Sequence, residues 1–289
     1  MSGAGLRWLS DDRAGLVTMH GKEAVIGPVL GEGAGISLFR VAGVDTDAFG
    51  TFTREVERPG TALDAARAKV RAGFAASPET RIMVASEGSF GPHPAIPLLP
   101  LGDELVLLVD RETGFELTGR HVGPETNFAH RLALDVETAL DFARQCGFPG
   151  HGIIVLGVRG EAPAPDLFCD KTLEDEKALA SAAARAIALT GAAFLETDMR
   201  AHRNPTRQDA IRRAAQDLVR RLGSPCPDCT RPGFDRRRRI PGLPCSDCGT
   251  PTDMTRAWIL GCEGCGLEDT RPVPGEPWAD PGACPSCNP

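Results

Sequence analysis

Tyrosine is absent, aromatic residues make up only 5% of the chain, and no run of eighteen apolar residues occurs anywhere in it. The last absence excludes a helical membrane span. The first residues, Met1-Ser-Gly-Ala-Gly-Leu-Arg-Trp8, lack the apolar core of a secretory leader. The expected location is therefore the cytoplasm. Positive charge is also short: the formal net charge is −7, so the whole chain is no electrostatic trap for nucleic acid. Alanine, arginine, glycine and proline are plentiful instead, a composition typical of a GC-rich bacterial genome. At 289 residues the chain has room for one sizeable domain and a small one.

Cysteine is unevenly placed. Of ten, eight form four Cys-x-x-Cys pairs beyond residue 225: Cys226/Cys229, Cys245/Cys248, Cys262/Cys265 and Cys284/Cys287. Without a secretion signal this spacing indicates zinc in a reducing compartment, not disulfides. Eight thiolates make two closed tetrahedral sites of four cysteines each, which are structural because no coordination position stays open. The tail is too small and too rich in Pro and Gly to fold on an apolar core, so metal supplies its stability. Two pairings fit the spacing: sequential, first with second and third with fourth, or nested, second with third and first with fourth. The sequential one is favoured. Cys146 and Cys169 are expected to be buried bystanders.

Before the tail, short apolar runs alternate with helical patterns, which predicts an α/β domain over residues 1–222 with a mixed sheet flanked by helices. A small zinc-ribbon-like domain follows at 223–289. Strands are expected at 14–19, 36–44, 81–85, 104–110, 115–122, 152–158 and 191–195. Helices are expected at 24–30, from Thr61 to about Ala76, and at 134–146, 171–190 and 205–222. Thr61 with Asp64 three residues on resembles a shortened capping box, and Asn204-Pro205 is a strong helix start. The proline-rich segment 92–103 is expected to be irregular.

Polar clusters fall at the ends of the expected strands. They are His20-Gly-Lys22-Glu23, Asp45-Thr-Asp47, Ser86-Glu87-Gly-Ser89 with His93, and Glu196-Thr-Asp198-x-Arg200-x-His202. Ligands in open α/β sheets sit beyond the carboxyl ends of strands. Carboxylates there suit a hard cation, Mg²⁺ or Mn²⁺, that keeps waters for phosphate to replace. Lys22, Arg58, Lys69, Arg200 and Arg207 can hold phosphate oxygens. His20 and His93 are candidate acid–base groups or ligands. Asn204 is expected to cap its helix first and contact a ligand second. Glu55, Glu57 and Arg58 are either a substrate-facing lid or a plain exposed loop.

Two resemblances add to this. The Gly21-Lys22 turn, the helix Thr61-x-x-Asp64-Ala-Ala66-x-x-Lys69 and the strand ending Ser86-Glu87-Gly88-Ser89 together resemble the inosine-triphosphatase/Maf-like nucleotide pyrophosphatase superfamily, over residues 14–110. That resemblance implies a phosphate-binding Lys22, a Mg²⁺ site on Asp64 and Glu87, and Lys69 as a further partner. It departs at Asp64, where that superfamily usually has glutamate. His20-Gly-Lys-Glu, Glu87-Gly-Ser-Phe-Gly-Pro-His-Pro, Glu196-Thr-Asp-Met-Arg-Ala, Asn204-Pro-Thr-Arg and Cys284-x-x-Cys287-Asn-Pro resemble, over nearly the full length, a bacterial family classed only as a domain of unknown function. It implies no activity.

The expectation is thus a metal-dependent hydrolase of a nucleoside triphosphate or related phosphate compound. Glu87 and Asp64 would be metal ligands, and Asp45 or Asp47 a third ligand or base. One alternative is a nucleic-acid-associated zinc protein that uses Arg236, Arg237, Arg238 and Arg239 on a ribbon tip. Those arginines can touch phosphate, yet from residue 226 onward seven Arg face nine Asp plus Glu, and a solvated tip is favoured. Others are a non-catalytic ligand-binding protein, and a zinc tail that docks a protein partner.

Overall fold

β1 (Arg13–Val17) is buried along all but its first residue and has a strand on each edge. It belongs to a five-stranded sheet in the order β2 (Ser37–Arg40), β1, β3 (Ile82–Pro92), β4 (Pro100–Asp110), β5 (Phe115–Gly123). β1 pairs in parallel with β2 and β3, and β3, β4 and β5 form an antiparallel meander. This is the expected mixed sheet. The computed structural model describes residues 8–46, 60–93 and 95–289. It divides into two units, Leu9–Val219, and Arg220–Pro289 together with Trp8.

Helices cover both faces of this sheet. α1 (Glu23–Ala34) follows β1, and α2 (Ala62–Ala76) precedes β3. α2 starts where local chemistry dictates: Thr61 accepts a bond from Asp64 N, and the Asp64 carboxylate accepts one from Thr61 N. Its Ala66 and Val70 pack against Val17, Met83, Ala85 and Leu107. α5 (Pro205–Leu222) covers the other face at β5. There Gly119 is required, because a Cβ would lie 2.3 Å from Ala214 O and Leu218 N.

The same unit holds a second, wholly antiparallel sheet, which the expectation of one sheet did not separate. Its order is β6 (His130–Ala133), β9 (Ala193–Thr197), β7 (Ile153–Arg159), β8 (Ala162–Asp170). α3 (Val136–Gln145) and α4 (Glu176–Thr190) cover one face, with Phe142, Leu179 and Ala183 packed on Ile153, Val155 and Leu195. β8 was missed because it carries Pro163 and Pro165. It is an edge strand, and edges tolerate residues that cannot donate to a ladder. The proline-rich segment is likewise less irregular than expected: β3 and β4 stay paired out to Pro92 opposite Pro100.

The Arg220–Pro289 unit is built on a three-stranded antiparallel meander, β10 (Asp235–Pro241), β11 (Thr255–Gly261) and β12 (Glu268–Pro272). Among the described residues, no helix in either unit is long and apolar enough to cross a membrane.

Candidate metal centres and a buried charge cluster

The tail cysteines gather into two groups, Cys226/Cys229/Cys262/Cys265 and Cys245/Cys248/Cys284/Cys287. Within them sulfurs stand 3.6–3.8 Å apart. A tetrahedral ion with Zn–S bonds of about 2.3 Å requires an S···S edge of about 3.8 Å, so each group can hold a metal such as zinc. The grouping corrects both expected pairings. It joins first with third and second with fourth. The meander causes this, because β10 carries the chain away from the first pair and β11 brings it back, with Asp235 opposite Gly261 and Pro241 opposite Thr255. Odd pairs collect at one end and even pairs at the other. β12 and the Cys245–Ala279 bridge then bring the fourth pair to the second.

All four pairs share one hydrogen bond. The residue after the second cysteine donates N–H to the first cysteine's carbonyl, as Thr230, Gly249 and Gly266 do at 3.0 Å and Asn288 at 2.9 Å. The first three have positive φ, and Thr230 (φ 64°) is the one described non-glycine residue that does. Backbone N–H groups also reach sulfur: Gly264 N lies 3.3 Å from Cys262 Sγ and Ser286 N 3.4 Å from Cys284 Sγ. Such bonds orient the ligands and spread thiolate charge. A β-branched residue in the left-handed region costs about 1–2 kcal/mol, and Thr230 is exposed. Thr230→Gly is therefore expected to stabilise this unit by about 1 kcal/mol, read as slower metal loss to a chelator and a higher melting temperature. An unchanged or faster loss would refute that account.

In the Leu9–Val219 unit the residues of interest meet where β1 stops. The last β1–β3 pair is Val17 opposite Ala85, but β3 continues. From Ser86 on, its β1-side edge faces the turn that leads into α1. Lys22, the residue before α1, fills that edge. Its Nζ lies 2.9 Å from Ser86 Oγ and 3.3 Å from Ser86 O, and all three atoms are buried. Strand alternation then separates two ion pairs. Glu87 shares its face with Met83 and Ala85 and meets Lys69 of α2. Gly88 is on the other face, paired with Glu104 of β4. Glu104 Oε1 accepts from Arg207 Nε at 2.5 Å. Any side chain at position 88 would strike the Glu104 carboxylate, at 2.4 Å from its Oε1.

Lys22, Lys69, Glu87, Glu104 and Arg207 are all less than a tenth exposed. The chain has only four lysines, and two of them lie here. Among the described residues three cations meet two carboxylates here, with Glu87 on Lys69 and Glu104 on Arg207. Burial, and then the charge of Arg207, push the Lys22 ammonium down to about 7. Asn204 fixes the approach of Arg207. Its Oδ1 caps α5 by accepting from Arg207 N at 2.9 Å, while its Nδ2 donates to Asn127 Oδ1 and Asp198 O.

Other expected site residues stand elsewhere. Asp64 is exposed, and its carboxylate is held low by Thr61, first by the hydroxyl and then by the backbone N–H. It caps α2 and is not part of the buried cluster. Ser89 and Asp45 are exposed. His93 Nδ1 accepts from Ala95 N and Ile96 N at 3.1 Å, so its ring organises the β3–β4 turn. Asp198 is buried under Arg200, whose Nη2 bonds it at 2.6 Å and also reaches Lys171 O. Glu196 is buried in β9, opposite Ile154 and His130. His20 stacks on His202 at 5.3 Å, and burial lowers the His202 pKa. Asp47, Glu55, Glu57 and Arg58 lie outside the described residues. Glu104 was not among the expected site residues. Gly88 was the available signal, since a glycine inside a strand marks a close approach.

These features define an α/β protein with a ribbon unit that carries two four-cysteine groups. A family model described as Domain of unknown function (DUF6671) matches residues 75–289, and the chain belongs to that family. The match spans Ser86, Glu87, Glu104, Arg207 and all eight tail cysteines; Lys22 and Lys69 precede it. No curated protein matches the chain.

Proposed function

We propose that the Leu9–Val219 unit binds and hydrolyses a phosphate-bearing small molecule, a nucleoside triphosphate or a related compound, at the Lys22–Lys69–Glu87–Glu104–Arg207 cluster. The supporting observation is the cluster itself: among the described residues, three buried cations meet two buried carboxylates at the carboxyl ends of parallel strands. Such a grouping is costly unless an anion answers it or Lys22 gives up its proton. Strand ends beside a helix N-terminus are where phosphates bind in α/β proteins. Arg207 and Lys69 would hold phosphate oxygens, and Glu87 would keep Lys69 in place. Lys22, with its pKa drawn to about 7, can give and take a proton at neutral pH.

A resident Mg²⁺ or Mn²⁺ does not fit the described residues. Among them, only the two cysteine groups bring three or more ligating side chains together, and Glu87 and Glu104 already face cations. These ions enter the reading only as counter-ions that a polyphosphate carries. The nucleic-acid reading has less support. Arg237 is paired with Glu263, Arg239 with Asp253, and Arg236 lies over Trp258, so three of the four arginines are engaged.

The test is a panel of nucleotides with and without Mg²⁺ or Mn²⁺, followed by thermal shift and by phosphate and pyrophosphate release. A nucleoside triphosphate is expected to raise the melting temperature, and Lys69→Met to weaken its binding at least about tenfold, the loss of one charge-assisted contact. Binding without release would leave a ligand-binding protein and remove the hydrolytic half. No shift with any member, or an equal shift in Lys69→Met, would remove the reading altogether.

A further inference from the structure

Among the described residues Ser86 has one hydrogen-bond partner for its hydroxyl, Lys22 Nζ at 2.9 Å. Lys22 in turn spends both of its hydrogen bonds on Ser86, one on Oγ and one on the backbone carbonyl. A buried ammonium ordinarily seeks a carboxylate. Here Glu87 and Glu104 are both near enough to act on Lys22 electrostatically, yet their bonds go to Lys69 and Arg207. The least paired cation of the cluster therefore sits against a serine hydroxyl, at the one stretch of β3 that has lost its β1 neighbour.

We propose that Ser86 and Lys22 form a nucleophile–base pair, with Ser86 Oγ attacking the electrophilic centre of the substrate and Lys22 Nζ taking its proton. The proposal rests on this cluster being the reaction site. A neutral lysine amine beside a serine hydroxyl can serve as the general base for that serine. In the first step the Oγ–P bond forms and the bond from phosphorus to the leaving group breaks, with its electron pair going to the leaving group. The Oγ proton passes to Nζ and then to the leaving group. In the second step water attacks the phosphoseryl group. Its proton passes to Nζ, Ser86 Oγ departs with the bonding pair and recovers that proton, and phosphate is released. Lys69 and Arg207 stand on the two faces of β3 to meet the charge that develops on the non-bridging oxygens. The lowered pKa of Lys22 leaves a large fraction of the amine free at neutral pH, as the role requires.

An alkyl fluorophosphonate tests the pair on the full chain. Attack by Ser86 forms Oγ–P, expels fluoride and leaves the proton on Lys22, so the protein gains the probe's mass less HF. The expected result is a single adduct mapped to Ser86, forming faster as pH rises from 6 to 8. It should be absent in Ser86→Ala and at least about a hundredfold slower in Lys22→Met, the usual scale of a lost general base. Lys22→Met is checked for folding by its thermal transition. No adduct on the folded chain, an adduct on another residue, or labelling of Lys22→Met within threefold of the parent would overturn the pair. Ser86→Ala keeps all three cations and is expected to retain the nucleotide-induced thermal shift. Labelling without nucleotide binding would therefore sink the phosphate reading alone, and binding without labelling would sink the nucleophile alone.

Discussion

The double variant Cys229→Ser/Cys265→Ser is expected to keep about one zinc per chain, whereas Cys229→Ser/Cys248→Ser is expected to keep none, because three thiolates cannot close a site built for four. The first pair of substitutions falls in one metal group and the second falls in both. Sequential pairing predicts the reverse, with the first variant losing both metals and the second keeping one. Metal analysis of the purified chains, with the parent at about two zinc, decides between them. The stability effect is correspondingly large. Structural zinc is worth on the order of 10 kcal/mol of folding in small zinc domains, and the Arg220–Pro289 unit has little else. Its apolar cluster consists of Phe234 with Leu260 and Leu267 around the buried cysteines. A chelator strong enough to strip both groups should unfold this unit. Retention of its β-sheet signal after complete metal removal would refute that dependence.

The eight ligands were legible from spacing alone, but their partnership was not. Both expected pairings treated distance along the chain as distance in space. In an antiparallel meander that relation alternates, and the intervening segments were each long enough for a strand. Arg236 to Arg239 were the visible clue. They lie in β10, the strand that carries the chain from one metal group to the other, and not on a tip.

In the α/β unit, local chemistry was the most readable layer. Thr61 and Asp64 form the expected box, and Asn204 caps α5. The same readability misled at Asp64, where one carboxylate was given two tasks. Capping commits its Oδ2 to two donors at the helix start, Thr61 N and Thr61 Oγ1. Glu104 was hidden for the opposite reason. It stands among the apolar residues of β4 with no local motif, and its role comes from Arg207, 103 residues further along the chain. Burial pattern cannot reveal a partner at that separation. The split into two sheets was hidden because β6 spans only four residues and because the prolines of β8 argue against a strand unless its edge position is known.

Lys22→Met is expected to stabilise the ligand-free chain at pH 6 and to lose that advantage as pH rises. In the folded state Lys22 titrates at about 7, against 10.5 for an unperturbed lysine. Below pH 7 both folded and unfolded chains hold the proton, so the full cost of burying the ammonium is present. Between pH 7 and 10.5 the unfolded chain holds the proton and the folded chain does not. The unfolded state then binds more protons, and stability rises with pH. Above 10.5 the two states no longer differ. The shift corresponds to an upper bound of about 5 kcal/mol at low pH, falling to about 2 kcal/mol near pH 9. Methionine also forfeits the bonds to Ser86, which costs about 1 kcal/mol. The variant should thus melt above the parent at pH 6 and approach or fall below it near pH 10, with the two curves of melting temperature against pH converging. Parallel curves would mean that Lys22 does not change its protonation on folding.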